Sequence, residues 1–263
     1  MTHWNHHTLH WAQVRPPLRP APTVVDCLTR LVADPGARVL ILGVTVELVH
    51  AFDRVLAVDK NAAVIAAQWP EDVPGKVVRC SDWLTLTDCD GVFDAVVGDG
   101  MLTALDPPDA APRLFRAALD ALKPGGRFAC RLFERPERAF TADSIGRAPD
   151  PSTPFNFHAL KWQIAMMLAG ERGPQVPVAS ILAAFEEIFP DRDELAQARG
   201  WSRQEIDTID VYRDSPLTYL FPNRAEHRAW LPPEATEVQF VDCGGYPLAE
   251  CCPILTFRKA CAR

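Results

Sequence analysis

The stretch that most constrains the fold is Arg38–Leu48, with the sequence RVLILGVTVEL. Four aliphatic residues run from Val39 to Leu42 and end at Gly43, a pattern typical of a buried strand that leads into a turn. A second strand pattern, RVLAVDK, follows and contains Asp59. Doubly wound α/β proteins hold an adenosine between such a glycine turn and an acid, whose carboxylate bonds to the ribose hydroxyls. The chain therefore predicts a parallel sheet with a ligand site at its edge.

Composition narrows the classes of function. A chain of 263 residues with 48% hydrophobic content can bury one sizeable core, which favours one decorated domain. The formal net charge of −7 opposes a nucleic-acid partner, because such surfaces need clustered Lys and Arg. The apolar runs are strand-sized, and the His-rich start lacks the apolar core of a signal peptide. We therefore expect a cytoplasmic protein that binds a small molecule and does not interact with membranes.

The same patterns predict the elements around the first two strands. Helices are expected where apolar residues recur every three or four positions, and strands where they run together. The predicted elements are a helix over 23–33, a helix over 61–68, strands over 76–80 and 93–97, a helix around 114–122 and a strand over 127–133. Proline and glycine in LKPGG place a boundary between the last helix and the last strand.

Polar residues follow the third and fourth predicted strands. After the third strand, Asp82 is suited to accept from the exocyclic amine of an adenine, and Trp83 to pack on its ring. A loop acid beside a core tryptophan is an equally good interpretation of the same two residues. After the fourth strand, Asp99 lies between two glycines, and Gly100 would let the backbone approach a ligand closely.

The order of these motifs resembles that of the class I S-adenosylmethionine-dependent methyltransferases. The resemblance rests on the glycine-turn strand, the acid after strand two, FDAVVGDG and LKPGGRF, and it covers about 23–133. It returns at 237–242 and 253–259, which look like the final antiparallel hairpin of that fold. The resemblance implies a doubly wound, mostly parallel, seven-stranded Rossmann-like α/β sheet. It also implies S-adenosylmethionine as the cofactor and methyl transfer by in-line displacement.

The resemblance also implies roles for particular residues. The positions that match the cofactor-binding pattern of the family are Gly43, Asp59, Asp82, Trp83 and Asp99.

The first motif departs from the family pattern. Ile41 stands where the family usually has an acid, and Gly43 is the one glycine that remains. As replacements we expect the Thr45 hydroxyl to bond the cofactor carboxylate and Glu47 to pair with its α-amino group. Loss of cofactor binding is the alternative outcome. An NAD site is disfavoured, because this turn lacks the GxGxxG spacing that seats a pyrophosphate.

Two segments flank the predicted core. Residues 1–22 are expected to form a helical lid over the cofactor pocket, ahead of a methyltransferase-like domain over 23–263. Residues 134–233 form a helical insertion after strand five, with capping patterns at Ser202 and Asn223. An insertion over the strand ends is where substrate selectivity is expected.

Candidate substrate and catalytic residues come from several of these segments. The expected substrate-binding residues are Trp11, Arg131, Trp162, Tyr212 and Arg213. Asp99 and His158 are the candidate general bases, because a carboxylate after strand four and an imidazole titrating near neutrality suit proton transfer. Ordinary packing or surface placement explains each of these residues equally well or better.

The sequence thus predicts a methyltransferase acting on a small organic acceptor. GDGM stands after strand four where acceptors with amide or base nitrogens would favour an NPPY-like tetrapeptide. We expect no metal, because Asp99 has no clear set of partner ligands. The alternative is a non-catalytic protein that binds a metabolite or partner and regulates something. The apolar lid and insertion helices are equally compatible with a homodimer face.

Overall fold

The computed structural model describes residues 14–71, 73–86, 88–105, 109–147 and 155–261. Residues 1–13 of the predicted lid, including Trp11, lie outside these ranges. The strands are β1 (Arg38–Leu42), β2 (Arg54–Asp59), β3 (Lys76–Cys80), β4 (Phe93–Asp99), β5 (Leu122–Arg131), β6 (Gln175–Pro177), β7 (Thr218–Leu220), β8 (Ala235–Val241) and β9 (Ile254–Lys259).

The α-helices lie before and between these strands. They are α1 (Pro22–Val32), α2 (Val46–Ala51), α3 (Ala62–Gln68), α4 (Ala110–Ala121), α5 (Ala142–Gly146), α6 (Phe157–Arg172), α7 (Val178–Ile188), α8 (Arg192–Arg199), α9 (Arg203–Asp207) and α10 (Arg224–Ala229). Of the helices in the described ranges, none combines the length and the apolarity that crossing a bilayer requires.

Seven strands form one sheet in the order β3-β2-β1-β4-β5-β9-β8. Strands β1 to β5 run parallel, whereas β9 is antiparallel to both β5 and β8. This arrangement confirms the predicted Rossmann-like fold with an antiparallel hairpin at its C-terminal end. The strand order reverses between β1 and β4, which is where open α/β sheets bind ligands.

The central strand β1 is buried on both faces. Val39 and Ile41 belong to the core that includes α1, whereas Leu40 and Leu42 belong to the core that includes α4. Side chains alternate between the faces of a strand, so an unbroken aliphatic run is the expected pattern for a strand covered on both sides. Ile41 is fully buried, so the residue in the place of the family acid faces the core and not a ligand.

The fifth strand begins at Leu122, five residues earlier than predicted. LKPGG lies within the strand as an irregularity, since the β4 register jumps from Phe93 opposite Leu122 to Ala95 opposite Arg127. Gly125 at φ +77° provides the backbone conformation that this detour needs. Proline and glycine therefore interrupt the ladder here without delaying the start of the strand.

The insertion over 134–233 is only partly helical. It contains α5 to α10, but β6 and β7 also pair in a separate two-stranded antiparallel sheet. The stretch 210–221 begins in a 3₁₀ turn over Thr208–Tyr212 and reaches a strand only at Thr218. The caps at Ser202 and Asn223 are both present, and each accepts from the backbone three residues on.

Candidate functional site

A cavity of about 410 Å³ opens at the carboxyl edge of the sheet, beside the point where the strand order reverses. It is bounded by the ends of β1, β2 and β4 and by part of the insertion. Its lining residues are Leu18, Leu42, Gly43, Val44, Thr45, Asp59, Lys60, Asn61, Val64, Gln68, Trp83, Asp99, Gly100, Met101, Thr103, Ala104, Phe133, Trp162, Leu217, Thr218 and Tyr219. Three of the predicted strand-end residues, Gly43, Asp59 and Asp99, thus share one cavity.

Gly43 forms the floor of the cavity at the end of β1. Its φ of +99° favours glycine, and a Cβ added there would lie 3.7 Å from the Trp83 ring. The Trp83 indole donates its Nε1–H to the Val58 carbonyl at 2.6 Å, which fixes the ring beside this turn. The flat face of the Trp83 ring thus lies next to the Gly43 backbone, and this arrangement suits a planar ligand group.

Asp59 ends β2 and lines the same cavity. One of its oxygens accepts from the Asn61 backbone N–H at 2.8 Å. The other oxygen lies 4.0 Å from the position that a Cβ on Gly43 would take. Burial raises the pKa of the Asp59 carboxyl, and the backbone bond from Asn61 opposes that shift. An acceptor oxygen is therefore placed between the ends of β1 and β2.

Asp99 ends β4 and forms a buried ion pair with Arg131. Its two oxygens accept from Nε and Nη2 of Arg131 at 2.5 and 2.9 Å. Burial lowers the pKa of the Arg131 guanidinium, but the Asp99 carboxylate outweighs it, so the net shift is upward. Burial raises the pKa of Asp99, and Arg131 opposes that shift. Arg131 thus contacts Asp99 and does not itself line the cavity.

Gly100 follows this pair at φ +63°. A Cβ there would lie 2.5 Å from the Phe133 ring, which packs directly over the glycine. Its backbone N–H donates to the Arg131 carbonyl at 2.9 Å, joining the ends of β4 and β5. The Phe133 ring therefore requires a glycine at this position, and the close approach of a ligand to this turn stays a prediction.

Solved structures share this architecture. A SAM-dependent methyltransferase from Methanosarcina mazei has a TM-score of 0.54 at 11% identity, over 93% of this chain and 100% of that one. The chain shares the fold of that methyltransferase. A protein from Pyrococcus horikoshii OT3 gives a TM-score of 0.55 at 13% identity, over 95% of this chain and 98% of that one. A putative Zn-dependent alcohol dehydrogenase from Rhodobacter sphaeroides gives 0.54 at 13%, over 92% and 91%.

Sequence comparison gives no further identification. No protein-family profile matches the chain, and no curated protein matches it either. Within the described ranges, no group of three His, Cys, Asp or Glu side chains is placed to hold a metal ion.

Of the two proposed replacement residues, Thr45 lies at the cavity and Glu47 does not. Thr45 lines the cavity, and its hydroxyl makes no hydrogen bond to the described residues. Glu47 lies in α2, not in the loop expected from the sequence, and does not line the cavity. One of its oxygens accepts from Arg19, whereas the other is buried without a hydrogen-bond partner in the described structure. Thr45 therefore offers a free hydroxyl to the cavity, and Glu47, two residues on, has a spare acceptor oxygen.

Asp82 and Trp83 have separate roles. Asp82 accepts from the Leu84 backbone N–H at 2.9 Å and so caps the 3₁₀ turn over Trp83–Thr85. Trp83 lines the cavity, and Asp82 does not. The cap fixes the position of the tryptophan, so the acid acts here on the backbone.

The insertion contributes only part of its predicted set. Trp162 lines the cavity. His158 and Tyr212 are buried but are not among the lining residues. Arg213 lies on the surface, where it pairs with Glu186 at 3.2 Å and with Asp210 at 3.1 Å. The structure thus brings one of these four side chains to the cavity.

Some lining residues were absent from the sequence-based candidates. Leu18 comes from the segment 14–20, here called the strap, which Arg19 joins to Glu47 and Asn156 joins to the insertion. Thr103 comes from the 3₁₀ turn over Met101–Ala104 after β4, and Thr218 comes from β7. Only Thr103 had a sequence signal, since it lies four residues after an acid at a strand end.

Proposed function

We propose that the chain transfers a methyl group from S-adenosylmethionine to a small organic acceptor. The observation that carries this proposal is the convergence of Gly43, Asp59 and Asp99 in one cavity at the reversal of the strand order. In this fold the same three strand ends are the positions that the resemblance assigns to the cofactor. The neighbouring methyltransferase structure supports the fold part of the argument.

The residues present fit such a cofactor. Gly43 leaves bare backbone that a Cβ would fill, and Trp83 offers a ring face beside it. Asp59 presents a carboxylate for ribose hydroxyls, and the free Thr45 hydroxyl suits the carboxylate of the methionine part. The spare buried oxygen of Glu47 suits an α-amino group, provided that α2 or Arg19 shifts to admit it.

The bound cofactor would supply an electrophilic methyl group on a sulfonium. The protein's task is then to hold a nucleophile in line with that methyl group, which can lower a barrier by about 7 to 11 kcal/mol. Both Asp99 oxygens are engaged by Arg131, so we assign Asp99 to positioning. His158 is 3% exposed and lies behind the cavity wall, which does not favour proton transfer to it from a ligand.

Calorimetric titration tests this proposal. We expect S-adenosylmethionine and S-adenosylhomocysteine to bind the wild-type protein. Asp59→Ala removes a hydrogen-bond acceptor and Gly43→Val fills the space above the Gly43 backbone, so each should weaken the affinity for both ligands at least tenfold. Thr29→Val, an exposed substitution on α1, is the matched control and should bind like the wild type. NAD is the control ligand.

Two outcomes would overturn the proposal. One is a wild-type protein that binds neither sulfur compound although it is folded by circular dichroism. The other is binding that Asp59→Ala and Gly43→Val leave unchanged. Glu47→Ala tests the replacement role separately, since its failure to weaken binding removes Glu47 and leaves the cavity assignment intact.

A further inference from the structure

The cavity extends beyond the residues assigned to the cofactor. The remaining lining, here called the acceptor half, comes from the turn after β4, the end of β5 and the insertion. Its principal side chains are Met101, Thr103, Phe133, Trp162, Thr218 and Tyr219. Since the two parts are continuous, a ligand in the acceptor half would lie next to one held by Gly43 and Asp59.

Aromatic rings form a rigid wall in the acceptor half. Trp162 contacts Phe133 edge-on with ring centroids 5.3 Å apart, and it contacts Tyr219 with centroids 5.2 Å apart. Phe221 supports Trp162 from behind at 5.5 Å. Trp162 and Tyr219 are each only 1% exposed. Edge-to-face packing of this kind fixes the rings, and a flat apolar ligand would lose little by lying against them.

The acceptor half has no charged side chain among its described lining residues. Asp59 and Lys60 lie on the cofactor side, and Asp99 at the boundary is paired by Arg131. A charged ligand would therefore leave water without gaining a partner, and that loss is large in an apolar site. The lining thus selects against carboxylates and ammonium groups.

Two threonine hydroxyls give this apolar surface polar groups that a ligand can reach. Thr103 is 2% exposed and lines the cavity, and its hydroxyl makes no hydrogen bond within the described structure. Thr218 also lines the cavity, and its side chain forms no hydrogen bond to the described residues. A buried hydroxyl without a partner has an unmet hydrogen bond that a ligand can satisfy.

We propose that the acceptor half binds an uncharged, flat aromatic molecule whose polar group bonds to the Thr103 hydroxyl. This inference rests on the proposed function, because it identifies the methyl acceptor by class. The aromatic wall determines the shape of the ligand, and the absence of charged side chains among the described lining residues of this half favours a neutral ligand. Thr103 holds the polar group of the ligand at the turn after β4. The Thr218 hydroxyl, at the start of β7, provides a second contact for the ligand.

The test uses three ligands of one shape. They are 2-naphthol, which is neutral at pH 7, the 2-naphthoate anion and the 2-naphthylmethylammonium cation. Binding to the full-length protein is followed by ligand-observed NMR at pH 7, with and without S-adenosylhomocysteine. We expect naphthol to bind at least about tenfold more tightly than either ion. Thr103→Val should weaken naphthol about 3- to 10-fold, while Thr29→Val should leave it unchanged.

The outcomes separate this inference from the proposed function. Equal or tighter binding of an ion, no binding of naphthol, or full affinity in Thr103→Val would overturn the inference, even where S-adenosylhomocysteine binds normally. Full affinity in Thr218→Val would remove only the second contact. Failure of S-adenosylhomocysteine to bind overturns the proposed function, and with it the identification of this half as an acceptor site. Because valine matches threonine in shape, circular dichroism should show both variants folded like the wild type.

Discussion

At the scale of single residues, Lys161 has an unusual environment for a lysine. Its side chain is fully buried, and Nζ has no hydrogen-bond partner in the described structure. The ammonium lies 5.5 Å from the Phe157 ring centroid and 5.4 Å from that of Tyr212. Burial lowers its pKa to about 7, and a distant attraction from Glu205 opposes that shift. The residue is therefore partly neutral at physiological pH and costs stability.

Replacing Lys161 is predicted to stabilise the fold. The unfolded chain binds a proton at a lysine pKa of 10.5 but the folded chain only near 7, so stability rises with pH between these values. Lys161→Met should raise the free energy of unfolding at pH 7 by up to about 5 kcal/mol and abolish that rise. Urea denaturation at pH 7 and 10 measures both effects. Lys123→Met, at an exposed ion pair, is the control and should change little.

The ion pair between Asp99 and Arg131 should be strongly coupled. Asp99→Ala and Arg131→Met each leave one buried charge unpaired, which typically costs about 3–5 kcal/mol. The double variant removes both charges, so its loss should be clearly smaller than the sum of the single losses. A double-mutant cycle by urea unfolding measures this coupling. Additive losses would contradict the buried-pair account.

Several site residues were predictable from local sequence, and others were not. Gly43, Asp59 and Asp99 each follow an aliphatic run, so their place at a strand end could be read directly. Arg213 could not be placed, because one of its two partners, Glu186, is 27 residues away in α7. An arginine in a loop gives no local signal of whether it pairs with a ligand or with another side chain.

At the scale of elements, the turn after β4 depends on its glycine. Gly100 and Gly91 have the same φ of +63°, but only Gly100 has a neighbour at the Cβ position. Gly91→Ala should cost about 1–2 kcal/mol for the left-handed backbone alone. Gly100→Ala should cost a further 1–3 kcal/mol or so from overpacking against Phe133. It should also weaken ligand binding in the cavity.

Chemical denaturation of the two glycine variants measures this difference. A loss in Gly100→Ala no greater than in Gly91→Ala would show that Phe133 moves aside freely. The contact would then not define the shape of the cavity.

The strap over 14–20 is joined to the insertion by Asn156. Its Nδ2 donates to the Pro16 carbonyl at 2.7 Å, while its Oδ1 accepts from the Ala159 N–H and caps α6. Asn156→Asp keeps the cap and removes the donor. We expect the backbone amides of Leu18 and Arg19 to exchange with solvent about 3- to 10-fold faster, with α6 unchanged.

Hydrogen exchange by mass spectrometry checks this expectation. Asn223→Asp is the matched control, because Asn223 caps α10 in the same way. Protection of the strap that is equal in all three proteins would show that this bond does not hold it.

The predictable elements were those with long hydrophobic patterns. Strands β1 to β4 and helices α1, α3 and α4 have enough apolar residues to show their period. The three-residue strands β6 and β7 do not, since their existence depends on pairing across more than forty residues. The predicted start of β5 was wrong, because the pairing of this strand with β4 prevails over the turn propensity of LKPGG.

At the scale of the whole molecule, the sheet and the insertion contribute different parts of the cavity. The sheet brings strand ends that are far apart in sequence to one edge, beside the reversal of the strand order where open α/β sheets bind ligands. The insertion covers that edge and lines the acceptor half with aromatic side chains. The order of the motifs was sufficient to predict the sheet. The side chains that the insertion turns toward the cavity depend on tertiary packing, so they required the structure.

A crystal structure of the protein with S-adenosylhomocysteine tests the central claim most directly. We predict the ribose hydroxyls within hydrogen-bond distance of the Asp59 carboxylate and the adenine beside Trp83. The sulfur should point toward the wall formed by Phe133 and Trp162. Electron density for the ligand outside this cavity, or an orientation that leaves Asp59 without a contact, would contradict the account.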